Sequence, residues 1–190
     1  MRRANLAIAF VLLAALAGAR TLAQESSGAK AQESGERVSL RDGRVSFVPP
    51  AGFKPMSKED IAIKFGRNGA ANAPAFVYSN EQQNVSVAIG FKGSGFQPED
   101  LDELKPALET HLEKTVPRLE WIERGIITRN GKSWIRLYSK TAAIDTGIVN
   151  DMYLTIFDGQ LVMFNFNSTV AQYEKHKESL RKSAQTITVK

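Results

Sequence analysis

The hydrophobic pattern of the chain centres on two apolar segments between Ile148 and Phe166, which are joined by Asp158-Gly159. Asp-Gly between segments of alternating side chains is typical of a two-residue β-hairpin with a primed turn. Counting outward from this turn pairs Phe157 with Gln160 and leaves both faces of the hairpin apolar. One face carries Met152, Leu154, Ile156, Leu161 and Met163, and the other carries Tyr153, Phe157, Val162, Phe164 and Phe166. Because neither face can remain in water, the pattern predicts a hairpin in the middle of a sandwich.

Asn130-Gly131 predicts a second hairpin, between residues 119–128 and 132–141. Its register would place Ile126 opposite Ile135. The far ends of the two segments are polar, so we expect this hairpin to be more exposed than the central one.

Shorter strands are predicted elsewhere in the chain. Asp42-Gly43 joins residues 38–40 to residues 45–47 as a third hairpin candidate. Short apolar or alternating segments predict further strands over 75–79, 85–91 and 186–189.

Two helices are predicted before the second hairpin. The first begins at Ser57, which forms a capping box with Asp60, and ends near Phe65. The second begins at Pro98 and carries an apolar stripe at helical spacing, made of Leu101, Leu104, Leu108 and Leu112. Pro106 lies inside this stripe and should kink the helix or restart it after Lys105.

A third helix is predicted to begin at Thr169, in a capping box with Gln172. Its inward stripe would consist of Val170, Tyr173, Leu180 and Ala184. Hairpins and helices in this order predict an α+β domain, with helices on both faces of a mainly antiparallel sheet.

The first residues are typical of a signal peptide. A basic start with Arg2 and Arg3 precedes an apolar core that is too short to span a bilayer. Small residues in Thr21-Leu22-Ala23 favour cleavage after Ala23, and Ala19 is a second candidate; an uncleaved anchor is the alternative. We therefore expect a signal peptide at 1–23, a disordered linker at 24–36, a folded domain at 37–190 and a periplasmic or secreted protein without stable membrane insertion after cleavage.

The charge balance changes once the leader is set aside. The chain has 25 basic and 20 acidic residues, and three of the basic ones lie in 1–23, which contains no acidic residue. The remainder has 22 against 20, a net charge of +2, which gives no electrostatic reason to expect a nucleic-acid partner. The chain contains no Cys, so disulfides and thiolate chemistry are excluded.

Three stretches resemble the PsbP-like superfamily, which includes bacterial exported proteins of the DcrB type. They are the strand and turn 45–53 (VSFVPPAGF), the turn region 130–134 (NGKSW) and the long run 153–183. The resemblance implies an α/β/α sandwich over roughly residues 38–189. It also implies an accessory, assembly or protein-binding role, without shared catalytic residues.

Candidate chemistry is sparse. His111 and His176 are the only histidines, and no His-x-x-x-His spacing links them to a metal site. Gly93-Ser94-Gly95 does not match the nucleophile elbow of a hydrolase. The acidic residues Glu99, Asp100, Asp102 and Glu103 are expected to stabilise a helix N-terminus rather than to bind Ca²⁺. No catalytic residue, metal site or cofactor is therefore predicted.

Two other features remain open. Asn84 and Asn167 begin glycosylation sequons, which matter only in a host that glycosylates. Loop arginines at 44 and 67 could contact an acidic partner, although a solvated loop is the simpler interpretation.

The leading hypothesis is a non-catalytic exported domain that binds another envelope protein or assists assembly. The alternative is a carrier of a small apolar ligand such as a lipid, suggested by the aromatic face at Tyr153 and Phe164. A hydrolase ranks last.

Overall fold

The computed structural model describes residues 35–66, 73–142 and 147–190. The predicted signal peptide and nearly all of the predicted linker lie outside these ranges. The same holds for residues 67–72, which include Arg67.

Within the described ranges the chain forms ten strands and three helices. In chain order they are β1 Val38–Leu40, β2 Val45–Phe47, β3 Lys54–Pro55, α1 Lys58–Phe65, β4 Phe76–Ser79, β5 Val85–Lys92, α2 Leu101–Thr115, β6 Glu120–Arg129, β7 Lys132–Ala142, β8 Gly147–Phe157, β9 Gln160–Thr169, α3 Val170–Gln185 and β10 Thr188–Val189. Seven strands make one antiparallel sheet in the order β3-β4-β5-β9-β8-β7-β6, and β1, β2 and β10 make a small second sheet.

The central hairpin has the predicted register. Phe157 pairs with Gln160 and Tyr153 with Phe164, and the hairpin β8–β9 lies inside the seven-stranded sheet. Asp158 and Gly159 both have positive φ, at 49° and 71°, as a type I′ turn requires. The prediction of a buried hairpin at the middle of a sandwich is confirmed.

The small sheet and α3 together cover one side of the large sheet. We call this side the aromatic face, because Tyr153, Phe157, Phe164 and Phe166 point from it into the core. Phe47 of β2 is fully buried there, with its ring centroid 5.6 Å from that of Phe164. A helix on this face was expected, whereas the second sheet was not.

Helices α1 and α2 cover the other side, which we call the aliphatic face. The four leucines of the predicted stripe are all buried in α2, where they pack on a set of apolar strand residues: Ile135, Leu137, Met152, Leu154, Ile156, Leu161 and Met163. Ile61 and Phe65 of α1 pack on Val77 and Ala88. Helices therefore lie on both faces, as the sequence predicts.

Helices α2 and α3 differ from the sequence predictions in three details. The α3 helix begins after Thr169 as predicted, but the Thr169 side chain makes no capping hydrogen bond, and Val170 is exposed. The α2 helix continues through Pro106 rather than restarting after Lys105, and Pro106 is exposed.

In the described ranges, no helix has the length and apolarity needed to cross a membrane.

Candidate functional site

The two histidines lie on opposite sides of the large sheet. His111 belongs to α2 on the aliphatic face, and His176 belongs to α3 on the aromatic face. Burial, together with the charge of Lys175, lowers the pKa of His176. The sheet separates the two imidazoles, so they cannot act together.

The other sequence candidates have local roles. Asp100, in the acidic run 99–103, accepts the backbone N–H of Gln97 at 2.8 Å and so caps the start of the helical segment. Ser94 is an exposed loop residue. Across the described ranges, no three His, Asp or Glu side chains come together as a metal site would require.

The loop arginines of the first hairpin are engaged within the chain. Arg44 forms an ion pair with Asp158 at 2.8 Å, and its guanidinium lies 4.9 Å from the Phe157 ring. Arg41 donates to Gln160 Oε1 at 3.1 Å. These contacts join the first hairpin to the central one. The two arginines therefore do not form a free site for an acidic partner.

The sequons differ in accessibility. Asn167 is 5% exposed and donates to Asn150 Oδ1 at 2.8 Å inside the sheet, so a glycan cannot be attached there in the folded chain. Asn84 lies in the half-buried turn before β5.

The rings of the aromatic face are packed against one another. Tyr153 and Phe166 meet edge to face at 5.9 Å, and Phe47 meets Tyr78 at 5.4 Å. Trp134 lies in the same cluster and is 2% exposed. Edge-to-face packing at these distances is typical of a protein core.

Within the described ranges, the longest outer strand is β6, which offers a surface for binding. It pairs with β7 on one side and is the last strand of the seven-stranded sheet. Arg129 and Lys132 flank the two-residue turn and therefore form a hydrogen-bonded pair. Because hydrogen-bonded and non-bonded pairs alternate, the backbone groups of Arg124, Ile126 and Thr128 point away from β7.

A β-bulge sets the length of this surface. The register of β6 shifts between Trp121 and Glu123, so the regular part of the strand runs from Glu123 to the turn at Asn130. A bulge increases local twist and disturbs pairing, which leaves seven regular residues. We call residues 123–129 the open edge.

The side chains beside the open edge are of the kind that stabilises protein interfaces. Ile122 and Ile126 are 44% and 40% exposed. Trp121 and Arg124 both donate to Glu113 Oε1 at 2.8 Å, and these two hydrogen bonds lower the pKa of Glu113. Trp and Arg are enriched at binding hot spots. The Glu113 contacts hold both side chains in place before any partner arrives.

An ion-pair chain fixes the open edge from the aromatic face. Arg136 of β7 makes two hydrogen bonds to Asp151, at 2.9 and 3.0 Å, and one to Glu123 at 2.6 Å. Burial opposes the charge of Arg136, but the bonds to Asp151 outweigh it and raise the pKa of the guanidinium. Tyr153 also donates to Asp151, and burial together with the Asp151 charge raises the pKa of Tyr153 to about 12.

The turn end of the open edge is tied to the last helix. Arg129 donates to the carbonyl oxygen of Ala184 at 2.6 Å, and Asn130 donates to the carbonyl of Ile187 at 3.1 Å. An arginine near a helix C-terminus satisfies a carbonyl that the helix itself leaves unpaired. The open edge is thus a rigid strand rather than a loose one.

The opposite edge of the sheet is different. There β3 consists of Lys54 and Pro55 alone, and it borders a surface pocket of about 350 Å³. The pocket is lined by Gly52, Lys54, Pro55, Met56, Asp60, Ser79, Asn80, Glu81 and Gln83.

Sequence reasoning missed the open edge as a site. The turn at Asn130-Gly131 and the polar ends of its strands indicated an exposed hairpin, and Ile126 does pair with Ile135. What identifies β6 as the outermost strand is the pairing of β5 with β9, which involves residues far apart in sequence. The sequence around Ile122 and Ile126 carries no signal of this position, since their exposure follows from the sheet order.

Comparison with known proteins reveals similarity at the level of the fold. The solution structure of cyanobacterial PsbP (CyanoP) from Synechocystis sp. PCC 6803 matches with a TM-score of 0.56 and 14% identity, covering 87% of this chain and 98% of CyanoP. LpqN of Mycobacterium tuberculosis, involved in cell envelope biogenesis, matches with a TM-score of 0.53 and 12% identity, over 81% of this chain and 85% of LpqN. The chain therefore has the PsbP-like α/β sandwich fold expected from its sequence.

A third structure is PA94 of Pseudomonas aeruginosa, a protein of unknown function. It matches with a TM-score of 0.50 and 17% identity, over 56% of this chain and 73% of PA94. No protein-family model and no curated protein sequence matches the chain.

Proposed function

We propose that this protein is a non-catalytic exported accessory domain that binds another envelope protein by adding a strand of that protein to the open edge. The observation that carries this proposal is the seven-residue regular stretch of β6, whose outward backbone groups have no neighbouring strand in the described ranges. An unpaired strand edge is a template for an extended peptide.

The energetics favour strand addition over docking of a preformed surface. Main-chain hydrogen bonds at Arg124, Ile126 and Thr128 provide affinity that is independent of the partner's sequence. Ile126 would select an apolar side chain opposite it on the added strand, and Ile122 and Trp121 lie just beyond the end of the open edge. Because the open edge is already rigid, little conformational entropy is lost on binding.

The role in the envelope is supported by analogy. LpqN, which has the same fold, is involved in cell envelope biogenesis. A shared fold supports such an assignment only by association, since function resides in particular sites. The open edge is that site in our proposal.

Export is the second part of the proposal. The basic start and short apolar core of residues 1–23 support cleavage by a signal peptidase and a linker at 24–36 that lets the domain reach its partner. N-terminal sequencing of the mature protein from a periplasmic or culture fraction should begin at Gln24. A first residue of Arg20 would indicate the other cleavage site, and an intact Met1 would contradict export by cleavage.

Site-specific photo-cross-linking tests the binding site. A benzophenone amino acid placed at Ile126 in the full chain should give a cross-linked product with one distinct envelope protein in living cells. The matched control is Ile63, which is 76% exposed on α1 and lies far from β6 in the fold.

The two positions together decide the outcome. A product with a second protein from position 126 and none from position 63 supports strand addition at the open edge. Equal products from both positions, or none with any other protein from position 126, would overturn the proposal.

A further inference from the structure

We infer that the open edge is self-complementary, so that in the absence of a partner two copies of the chain pair through it, related by a two-fold axis at Ile126. This inference rests on the proposed function and adds a regulatory step to it. The paired form covers the surface that the envelope partner needs, and the partner competes with a second copy for it.

The length of the regular segment sets the centre of the pair. The bulge ends regular pairing before Glu123, and the turn ends it after Arg129. Two such segments overlap completely in the antiparallel direction when residue 126 of one copy meets residue 126 of the other. Any other centre leaves part of one edge unpaired.

The hydrogen-bond pattern agrees with the same centre. Arg124, Ile126 and Thr128 have outward backbone groups, as the alternation from the Asn130-Gly131 turn requires. With the axis at Ile126, residue 124 meets residue 128 of the other copy, and residue 126 meets its own equivalent. Every outward donor then faces an outward acceptor, two hydrogen bonds for each pair.

The side chains also fit this register. On the aromatic face it places Glu123 opposite Arg129 of the other copy, twice by symmetry, and opposite charges across two strands stabilise pairing. On the aliphatic face it brings together the two Ile126 side chains, each 40% exposed in the single chain. An axis shifted to Arg124 would instead place two arginines directly opposite each other, which is destabilising.

Glu123 remains able to make this contact. Its side chain is 55% exposed although one carboxylate oxygen already accepts from Arg136. The new pairing continues the chain of charges that begins at Asp151 across the interface. A two-fold pairing of this kind is closed, so it produces a dimer and not a fibre.

The test uses a proline that leaves the fold intact. The N–H of Ile126 points outward, so Ile126→Pro removes a donor from the open edge but none from the β6–β7 ladder, a position where edge strands accept proline. Sedimentation velocity of the mature chain should show wild type shifting from one to two copies as concentration rises. Ile126→Pro should raise the dimer dissociation constant at least about tenfold, whereas Ile126→Val should change it by less than about twofold.

A second measurement fixes the register. The chain contains no Cys, so Ile126→Cys introduces a single thiol. A short bifunctional maleimide should join two Ile126→Cys chains, while Ile63→Cys chains should remain single. Monomers at all concentrations, or equal cross-linking from both positions, would overturn the inference.

These results separate the inference from the proposed function. A monomeric protein that still cross-links to an envelope protein from position 126 removes the self-pairing and leaves the proposed function standing. A dimer that depends on Ile126, with no other protein cross-linked from that position in cells, does the reverse.

Discussion

The two outer strands of the large sheet differ in length, in proline content and in exposed apolar side chains. At one end β3 is two residues long, contains Pro55 and lies beside α1. At the other end β6 is ten residues long, contains no proline and exposes Ile122 and Ile126. Short length and proline are devices by which proteins blunt a sheet edge, and only the β3 end uses both.

The difference leaves the β6 end more accessible to an added strand than the β3 end. The β6 end carries charged side chains and a bulge at Trp121 and Glu123, and the bulge is confined to the start of the strand. At the start of the remaining, regular part, Glu123 accepts a hydrogen bond from Arg136, which Asp151 holds from the next strand. Keeping an edge both rigid and unprotected is a cost unless another strand uses it.

The largest expected effect tests how strongly the β6 end is held. Asp151→Asn leaves the Arg136 guanidinium, which is 16% exposed, without its buried carboxylate. Because Glu123 still pairs with Arg136, the variant loses charge-assisted hydrogen bonds without leaving the guanidinium unpaired, and urea unfolding should show a loss of about 1.5–3 kcal/mol.

The matched control for this change is Asp158→Asn. It removes an ion pair to Arg44 in which both side chains are about half exposed, and it should cost less than about 1 kcal/mol. Equal losses in the two variants would mean that the Arg136–Asp151 pair is not what secures this edge.

A smaller, stabilising effect is expected within the open edge itself. Gly125 lies in β6 with φ outside the left-handed region, and an added Cβ would meet no atom within 4 Å. Gly125→Ala should therefore raise the free energy of unfolding by about 0.4–1 kcal/mol, because it restricts the unfolded chain.

Gly147→Ala is the contrast for that change. Its Cβ would lie 2.9 Å from Val170 Cγ2, so a neighbour must move and the same gain is not expected. If thermal unfolding shows both variants equally stabilised, the open edge has no special freedom to accept a side chain.

A further effect concerns the β3 end and depends on pH. Lys64 of α1 donates to the Gln83 carbonyl beside the surface pocket, and burial lowers its pKa to about 8. Between pH 8 and 10.5 the unfolded chain holds a proton that the folded chain has released. The contribution of Lys64 to stability therefore rises with pH across this window.

Lys64→Met should flatten this rise, as measured by urea unfolding at several pH values. Lys58→Gln, an exposed position on the same helix, is the control and should leave the profile unchanged. A Lys64→Met profile that runs parallel to wild type would show that burial of this amine does not matter to the β3 end.

The parts of the fold that were predicted from sequence are those fixed by neighbours in the chain. Asp158-Gly159 and Asn130-Gly131 determine their hairpins because both residues must adopt positive φ, and the observed registers follow from that. The leucine stripe of α2 could likewise be predicted, because its helical spacing depends only on residues close in sequence. Thr169 misled in part, because a threonine at a helix start need not use its side chain as a cap.

The parts that were missed depend on distant pairings. Nothing near Phe47 indicates that β2 pairs with β10, and nothing near Ile126 indicates that β6 ends the sheet. The hydrogen bond from Arg136 to Asp151 joins β7 to β8. Which residues of these two strands lie opposite each other depends on the length of the segment between them. The open edge exists because of these distant pairings. Its residues could be assigned to a strand from the sequence, but their position at the edge of the sheet could not.

The pairing of β2 with β10 has a consequence for how the protein matures. The backbone N–H of Val48 donates to Thr186 Oγ1, 138 residues further along, so the first strands cannot complete their sheet before the last residues of the chain are available. Until then the small sheet does not cover Phe164 and its neighbouring rings. Pairing β2 with β10 closes a loop of most of the domain, which is slow. The aromatic face is therefore expected to close only after the whole chain has been made.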